Sequence, residues 1–391
     1  MVNDTLSEKV PFWLDPKKRA IFFQFITLCM VGLLAYYLIH NTVHNLKKQN
    51  IATGFGFLHK ASSFEIGESL ISYSAANSYG RALIVGALNT LYVSSIGVII
   101  TIILGTVIGV ARLSTNWLVS KLAAIYIEVF QDIPVLLQLF FWYSLFYTTL
   151  PTPRHALHPL PGLFLCNRGV DFAVPKADPA HGYMAIAFLA GCIFVYLIRR
   201  WAKKRQEQTG QLFPIFRVSA VILLGLPLAT WWLAGAPTAM STPKLVGFNF
   251  TGGKSFSPEF IALLLGLVLY TAAFVAEVVR AGIQSVSKGQ TEAAMALGLR
   301  PGMVLNLVIL PQALRVIIPP LTSQMLNLTK NSTLAVAIGY PDFVSVADTT
   351  INQTGQAIEG VALIMVLYLI FSLLTSAIMN WYNKKAALVE R

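Results

Sequence analysis

Apolar and polar stretches alternate along this chain on a scale of about twenty residues, the length a helix needs to cross a bilayer. Eight apolar runs stand out, at 21–39, 83–110, 122–148, 183–198, 216–235, 258–281, 303–326 and 361–382. Nearly all are too long and too uniformly apolar for strands or for helices of a soluble core. The pattern predicts an all-α polytopic membrane protein of about eight transmembrane helices. Ser257 before Pro258 marks a helix start, and Pro134 predicts a kink inside the third run. Between the sixth and seventh runs lies a different segment, Ser287 to Pro311, reading SKGQTEAAMALGLRPGMVLNLVILP. Ser287 and Gln290 have the spacing of a capping box, and Glu292 is expected in the first turn, where the helix dipole favours a carboxylate. Gly298 is placed to cap the far end, and Arg300-Pro301 to stop the helix. The expected helix has two to three turns and is too short to span a bilayer. It is shaped for docking.

Composition agrees with the pattern. Of 391 residues, 55% are hydrophobic and 12% charged, against about 25% charged in ordinary soluble domains. The net charge of +12 does not point to nucleic acid, because the basic residues sit beside apolar runs. With the N-terminus inside, cytoplasmic loops carry 19 of the 29 lysines and arginines. This bias puts both termini and the 287–311 segment in the cytoplasm. The first apolar run reads as a retained anchor rather than a cleaved signal. Cys29, Cys166 and Cys192 are scattered, which argues against a disulfide framework. The six histidines lie at or beyond the expected outer ends of spans, and His40 and His44 lack an evident third ligand, so no metal site is expected. The stretch Gly252-Gly253-Lys254-Ser255 misses the spacing of a phosphate loop, since Phe248 stands where its first glycine belongs.

Three features of the 287–311 segment carry a family resemblance: Glu292-Ala293-Ala294, then Gly298, then Val308-Ile309-Leu310-Pro311. This is similar to the EAA loop of ABC importer permease subunits, with Val308 in the place of the usual isoleucine. The flanks, Tyr270 to Ile283 and Gln312 to Arg315, resemble the polar-amino-acid branch. The enlarged layout resembles the Q-type permeases of general L-amino-acid transporters in Gram-negative bacteria. The resemblance implies a type I permease core in the inner membrane, carrying L-amino acids and coupled to a separate ATPase. Implied partners are a second permease chain forming a hetero-pair, two ATPase subunits and a periplasmic substrate-binding protein. ATP and magnesium would sit on the ATPase, and this chain itself would be no enzyme and bind no cofactor. Four divisions follow: 1–82 with the N-terminal tail, first helix and outer loop; 83–150 as the first core part; 151–256 as an insertion with two extra helices; and 257–391 as the second core part.

Coupling to the ATPase is assigned by this resemblance to Glu292, Ala293, Ala294, Gly298, Arg300 and Pro311. Polar residues within apolar runs are the candidates for the translocation path, because lipid disfavours them. Glu128 and Asp132 lie four apart on one helix face, suited to a substrate ammonium or a gate, or equally to ion pairs with a neighbouring span. The surrounding stretch, with Gln138, resembles the family's third-span signature, and Asn89-Thr90 its NT pair. Asn327, Lys330, Asn331, Ser332 and Thr333 interrupt apolar sequence, as a broken helix lining a cavity would, or as a plain outer loop would. Lys330 is a candidate for a substrate carboxylate. Gly105 and Gly109 are spaced for close helix packing. The alternatives are a proton-coupled amino-acid transporter relaying through Glu128 and Asp132, and a scaffold without transport that recruits partners through the basic run 199–205.

Overall fold

A computed structural model of the chain describes residues 13, 15–49, 53–211 and 213–386. The N-terminal tail through residue 12 and the last five positions, both expected in the cytoplasm, lie outside the described residues. Twelve α-helices are described: α1 (Pro16–Lys48), α2 (Tyr79–Arg112), α3 (Trp117–Asp132), α4 (Val135–Ser144), α5 (Pro179–Thr209), α6 (Ile215–Leu233), α7 (Pro258–Gln284), α8 (Lys288–Ala296), α9 (Pro301–Val304), α10 (Leu310–Asn331), α11 (Phe343–Thr354) and α12 (Ala357–Ala386). Seven helical stretches are long and apolar enough to cross a membrane, or eight if a bent pair counts as one span. These are α1, α2, α5, α6, α7, the continuous run Pro301–Ile338 and α12.

The bent pair is α3 with α4, and there the third predicted span is more than kinked. The chain turns by 101°. Pro134 supplies no amide hydrogen and forces Ile133 out of the helical region, to φ −87° and ψ 124°. The seventh run differs in the other direction. The polar stretch expected to break the helix at 327–335 stays helical through Asn331 and then tightens into a 3₁₀ turn, Ser332–Ile338. Gly339, at φ +81°, ends it. Thr329 and Ser332 return their hydroxyls to the carbonyls of Met325 and Thr329, so polarity here does not unwind the backbone.

The chain divides into two compact units, 1–98 with 278–391, and 99–277. In the first, a core of Ala82, Leu83, Phe343, Val346 and Ala347 binds the start of α2 to α11, with Leu363, Ile364 and Leu367 of α12 against it. Gly86 makes this approach possible, since a Cβ there would lie 3.0 Å from Phe343 Cα. In the second, α5 and α6 form an antiparallel pair. A Cβ on Gly105 would meet Val275 Cβ at 2.6 Å and the Ala272 carbonyl at 3.0 Å, so the close α2–α7 packing needs glycine.

The loops flanking the α5–α6 pair contain strands that the sequence pattern did not reveal. They are β1 (Leu157–Leu160), β2 (Leu163–Cys166), β3 (Gly169–Phe172), β4 (Val174–Pro175), β5 (Met240–Ser241), β6 (Lys244–Val246), β7 (Asn249–Thr251) and β8 (Lys254–Phe256). They form an antiparallel sheet in the order β1-β2-β3-β8 and two ribbons, β4-β5 and β6-β7. Strands of two to four residues are too short for alternation to register.

Candidate functional site

The docking segment forms α8, nine residues long. Ser287 stands at its N-cap with extended backbone but makes no side-chain cap, which corrects the expected capping box. Gln290 instead accepts a hydrogen bond from Gln312 Nε2, which also donates to the Val308 carbonyl at 2.9 Å. The amide side chain is thereby committed to the following helix rather than to its own N-terminus. Glu292 falls beyond the first turn, because the helix begins at Lys288. The far end follows the sequence closely. Gly298 takes φ +80°, its N–H reaches the Met295 carbonyl at 2.9 Å, and Leu299 N–H reaches Ala294 at 3.2 Å. Those two bonds make a Schellman cap. Pro301 does not merely stop α8; it opens α9, where a missing amide hydrogen costs nothing. A wide π turn, Leu305–Ile309, then takes the chain into α10, with Pro311 in its first turn and no break in the helix.

Of this segment, Ala294 is buried, at 5% exposure. Glu292, Ala293, Gly298, Arg300 and Pro311 are exposed. Two apolar side chains stand out with them, Met295 at 51% and Leu297 at 83% exposure. Met295 lies one turn from Glu292 on α8, and Leu297 stands at its C-cap.

Asn89 and Thr90 are buried, at 2% and 0% exposure, and act on the backbone of a turn. Asn89 Nδ2 donates to the carbonyls of Glu68, at 2.8 Å, and Pro341, at 2.9 Å. Thr90 Oγ1 accepts from Phe343 N–H at 3.0 Å. Asp342, fully buried, caps α11 through Ser345 N–H at 2.9 Å. Tyr368 of α12 completes the cluster: its hydroxyl is 3.5 Å from Asp342 Oδ2 and hydrogen-bonds to Thr90 and Ser332. Sequence reading missed Tyr368, because one tyrosine in an apolar run carries no local signal.

Glu128 and Asp132 are exposed near the end of α3. Neighbouring polar residues anchor that helix to α7, with Tyr126 OH on the Leu269 carbonyl at 2.8 Å and Gln131 Nε2 on Ala273 at 3.3 Å. Gln138 is buried and bridges the bend, its Nε2 on the carbonyls of Phe130 at 3.0 Å and Ile133 at 2.8 Å. Its Oε1 is buried without a partner among the described residues. Asn327 and Lys330 are exposed on α10, Asn331 and Thr333 half-buried, and Ser332 buried. Thr90 and Ser332 meet at Tyr368 in the first unit, whereas Glu128, Asp132 and Gln138 belong to the second.

Residues 97–387 match the family described as "Binding-protein-dependent transport system inner membrane component". The chain belongs to this family. The permease is 49% identical over 377 residues to the "General L-amino acid transport system permease protein AapQ" of Rhizobium johnstonii, covering 96% of this chain and 94% of that one. It is 49% identical over 378 residues to the "Putative amino-acid ABC transporter permease protein YhdX" of Escherichia coli, covering 96% of each. To the "Glutamate/glutamine/aspartate/asparagine transport system permease protein BztB" of Rhodobacter capsulatus it is 40% identical over 409 residues, again covering 96% of each. The matches span the β-containing loops and the α5–α6 pair as well as the core, and they give no support to the proton-coupled alternative.

Those loops give the permease a second polar constellation. A cavity of about 330 Å³ is lined by Arg168, Asp171, Asn249, Phe250, Ser255 and Cys166, together with Pro153. Asp171 is 5% exposed, and burial raises its pKa above the ordinary 3.8, with a hydrogen bond to Ser255 working the other way. Burial likewise pushes the Cys166 thiol up. Arg168 donates to Asn249 Oδ1.

Proposed function

We propose that the permease is the membrane-spanning subunit of an ATP-driven importer of L-amino acids, and that α8 is its handle for a separate ATPase. The near full-length 49% identity to permeases named for amino-acid transport carries this reading. The exposed Met295 and Leu297 beside Glu292 support the docking role. On this reading the chain pairs with a second, homologous permease and two ATPase subunits. A periplasmic binding protein delivers substrate, and both termini of this chain face the cytoplasm. ATP and magnesium belong to the ATPase. ATP binding would close the ATPase pair and draw the docking helices together, favouring the outward-open state, and hydrolysis would restore the inward-open one.

Within the membrane, Glu128 and Asp132 of the second unit are the candidates for a substrate ammonium, and Lys330 of the first unit is a separate candidate for a carboxylate. Asn327, Asn331 and Thr333 lie within three residues of Lys330 in sequence. Asn89, Thr90, Ser332 and Gln138 contribute by holding the turn at 340–343 and the bend at 133–134. Purification through a tag on this chain should recover an ATPase and a second permease, identified by mass spectrometry. Reconstituted with the binding protein, the complex should take up L-amino acids only with ATP inside. Uptake by this chain alone, driven by a proton gradient, would overturn the reading.

A further inference from the structure

The cavity in the β-containing loops is a half-open cleft with a buried carboxylate in its wall. Its walls come from segments far apart in sequence, closed upon each other by the pairing of β3 with β8, in which Asp171 lies opposite Ser255. At about 330 Å³ it falls at the small end of ligand pockets, which run from about 300 to 1,000 Å³. Its lining brings one anion and one cation to the same space. Asp171 is almost fully buried, and among the described residues it forms no ion pair with a basic side chain. A buried carboxylate in that condition is costly, and a cation entering the cavity offsets the cost. Its raised pKa is the expression of the same deficit. Arg168 carries five N–H donors and directs a hydrogen bond to Asn249. The fork that remains has the geometry to hold a carboxylate. Phe250 and Cys166 supply apolar wall to the same cavity.

We propose that this cavity binds a free zwitterionic L-amino acid, its carboxylate on Arg168 and its ammonium on Asp171, with the side chain toward Phe250. The site is separate from the membrane residues named above. Its ligand class rests on the reading of the permease as an amino-acid transporter. On the orientation given by the basic residues, it stands on the outer side of the membrane.

The test is calorimetry on the purified transporter without its binding protein, titrated with L-leucine and with L-glutamine. The leucine analogues 3-methylbutylamine and 4-methylpentanoate serve as half-ligands. At least one amino acid should bind saturably, one equivalent at this site per copy of the chain. Each half-ligand should bind at least tenfold more weakly than leucine where leucine binds. Arg168→Gln, at an exposed position that tolerates change, should weaken or abolish that binding at least tenfold, and Asp171→Asn should do the same if it folds. Absence of saturable binding by both amino acids overturns the proposal, as does Arg168→Gln binding like wild type. The same preparations, reconstituted, separate the two readings. ATP-driven uptake without binding in the cavity defeats only this proposal, and binding without ATP-driven uptake defeats only the transport reading.

Discussion

Gly298 offers the cleanest measurement of the mechanical role proposed for α8. It sits at φ +80°, and a Cβ placed on it meets no atom within 4 Å. Gly298→Ala therefore adds no clash and changes only the backbone term. An L-residue with a Cβ pays about 1–2 kcal/mol in the left-handed region. That shifts the balance between capped and frayed ends of α8 by a factor of about 5–30. Little of the helix is buried beyond Ala294, so the unfolding temperature of the whole protein should hardly move. The readout is amino acid taken up per ATP hydrolysed in proteoliposomes, which should fall. Gly298→Asn, better tolerated in this conformation, should fall less. Gly289 is the internal control. It lies within α8 in ordinary helical geometry with open space around it, so Gly289→Ala should firm the helix by about 1 kcal/mol. If Gly298→Ala couples as well as wild type, or if both alanines shift coupling in the same direction, cap rigidity is not what transmits the stroke.

Other outcomes follow from buried geometry. Thr90→Val leaves Phe343 N–H unpaired in a fully buried site, and should cost about 1–3 kcal/mol in thermal or denaturant unfolding, whereas Thr90→Ser should cost much less. Gly105→Ala drives a methyl into Val275 and the Ala272 carbonyl, and should cost about 1–3 kcal/mol; Gly105→Ala with Val275→Ala should recover only part, because the carbonyl cannot be trimmed. Asp171 binds its proton more tightly when folded than when unfolded, so its contribution to stability is greatest below pH 3.8 and is lost as pH rises through the raised folded value. Asp171→Asn should remove that part of the slope from an unfolding-versus-pH curve.

Much of this architecture was legible because a bilayer imposes one length scale on every span, and the runs at 83–110 and 258–281 announce α2 and α7 with little error. Backbone rules were legible too, since Gly298 acts where a positive φ is needed and Pro301 where its fixed φ and missing amide hydrogen cost nothing. Side-chain commitments were not. Ser287 has the right spacing for a capping box, yet its partner Gln290 is taken by Gln312, a contact across more than twenty positions. Asn89 and Thr90 were readable as polar residues inside a span, but only the packed turn at 340–343 reveals that they hold main chain. Gln138 likewise bridges a bend whose size depends on how Ile133 relieves Pro134. The strands escaped notice because strands of two to four residues leave no periodic trace, and β3 pairs with β8 across more than eighty positions that include α5 and α6.

That neighbourhood has a consequence for the history and handling of the chain. Phe172 and Lys254 are facing rungs of one ladder, so the polypeptide departs and returns through a single narrow neck. Both extra helices lie between those rungs, and the end of the same stretch returns to the sheet through Asn249 on Arg168 and Phe250 on Phe164. A two-residue reverse turn joining those rungs would close the gap without stretching the remaining scaffold, which is the geometry an ancestral gene needs to gain or shed such a piece in one event.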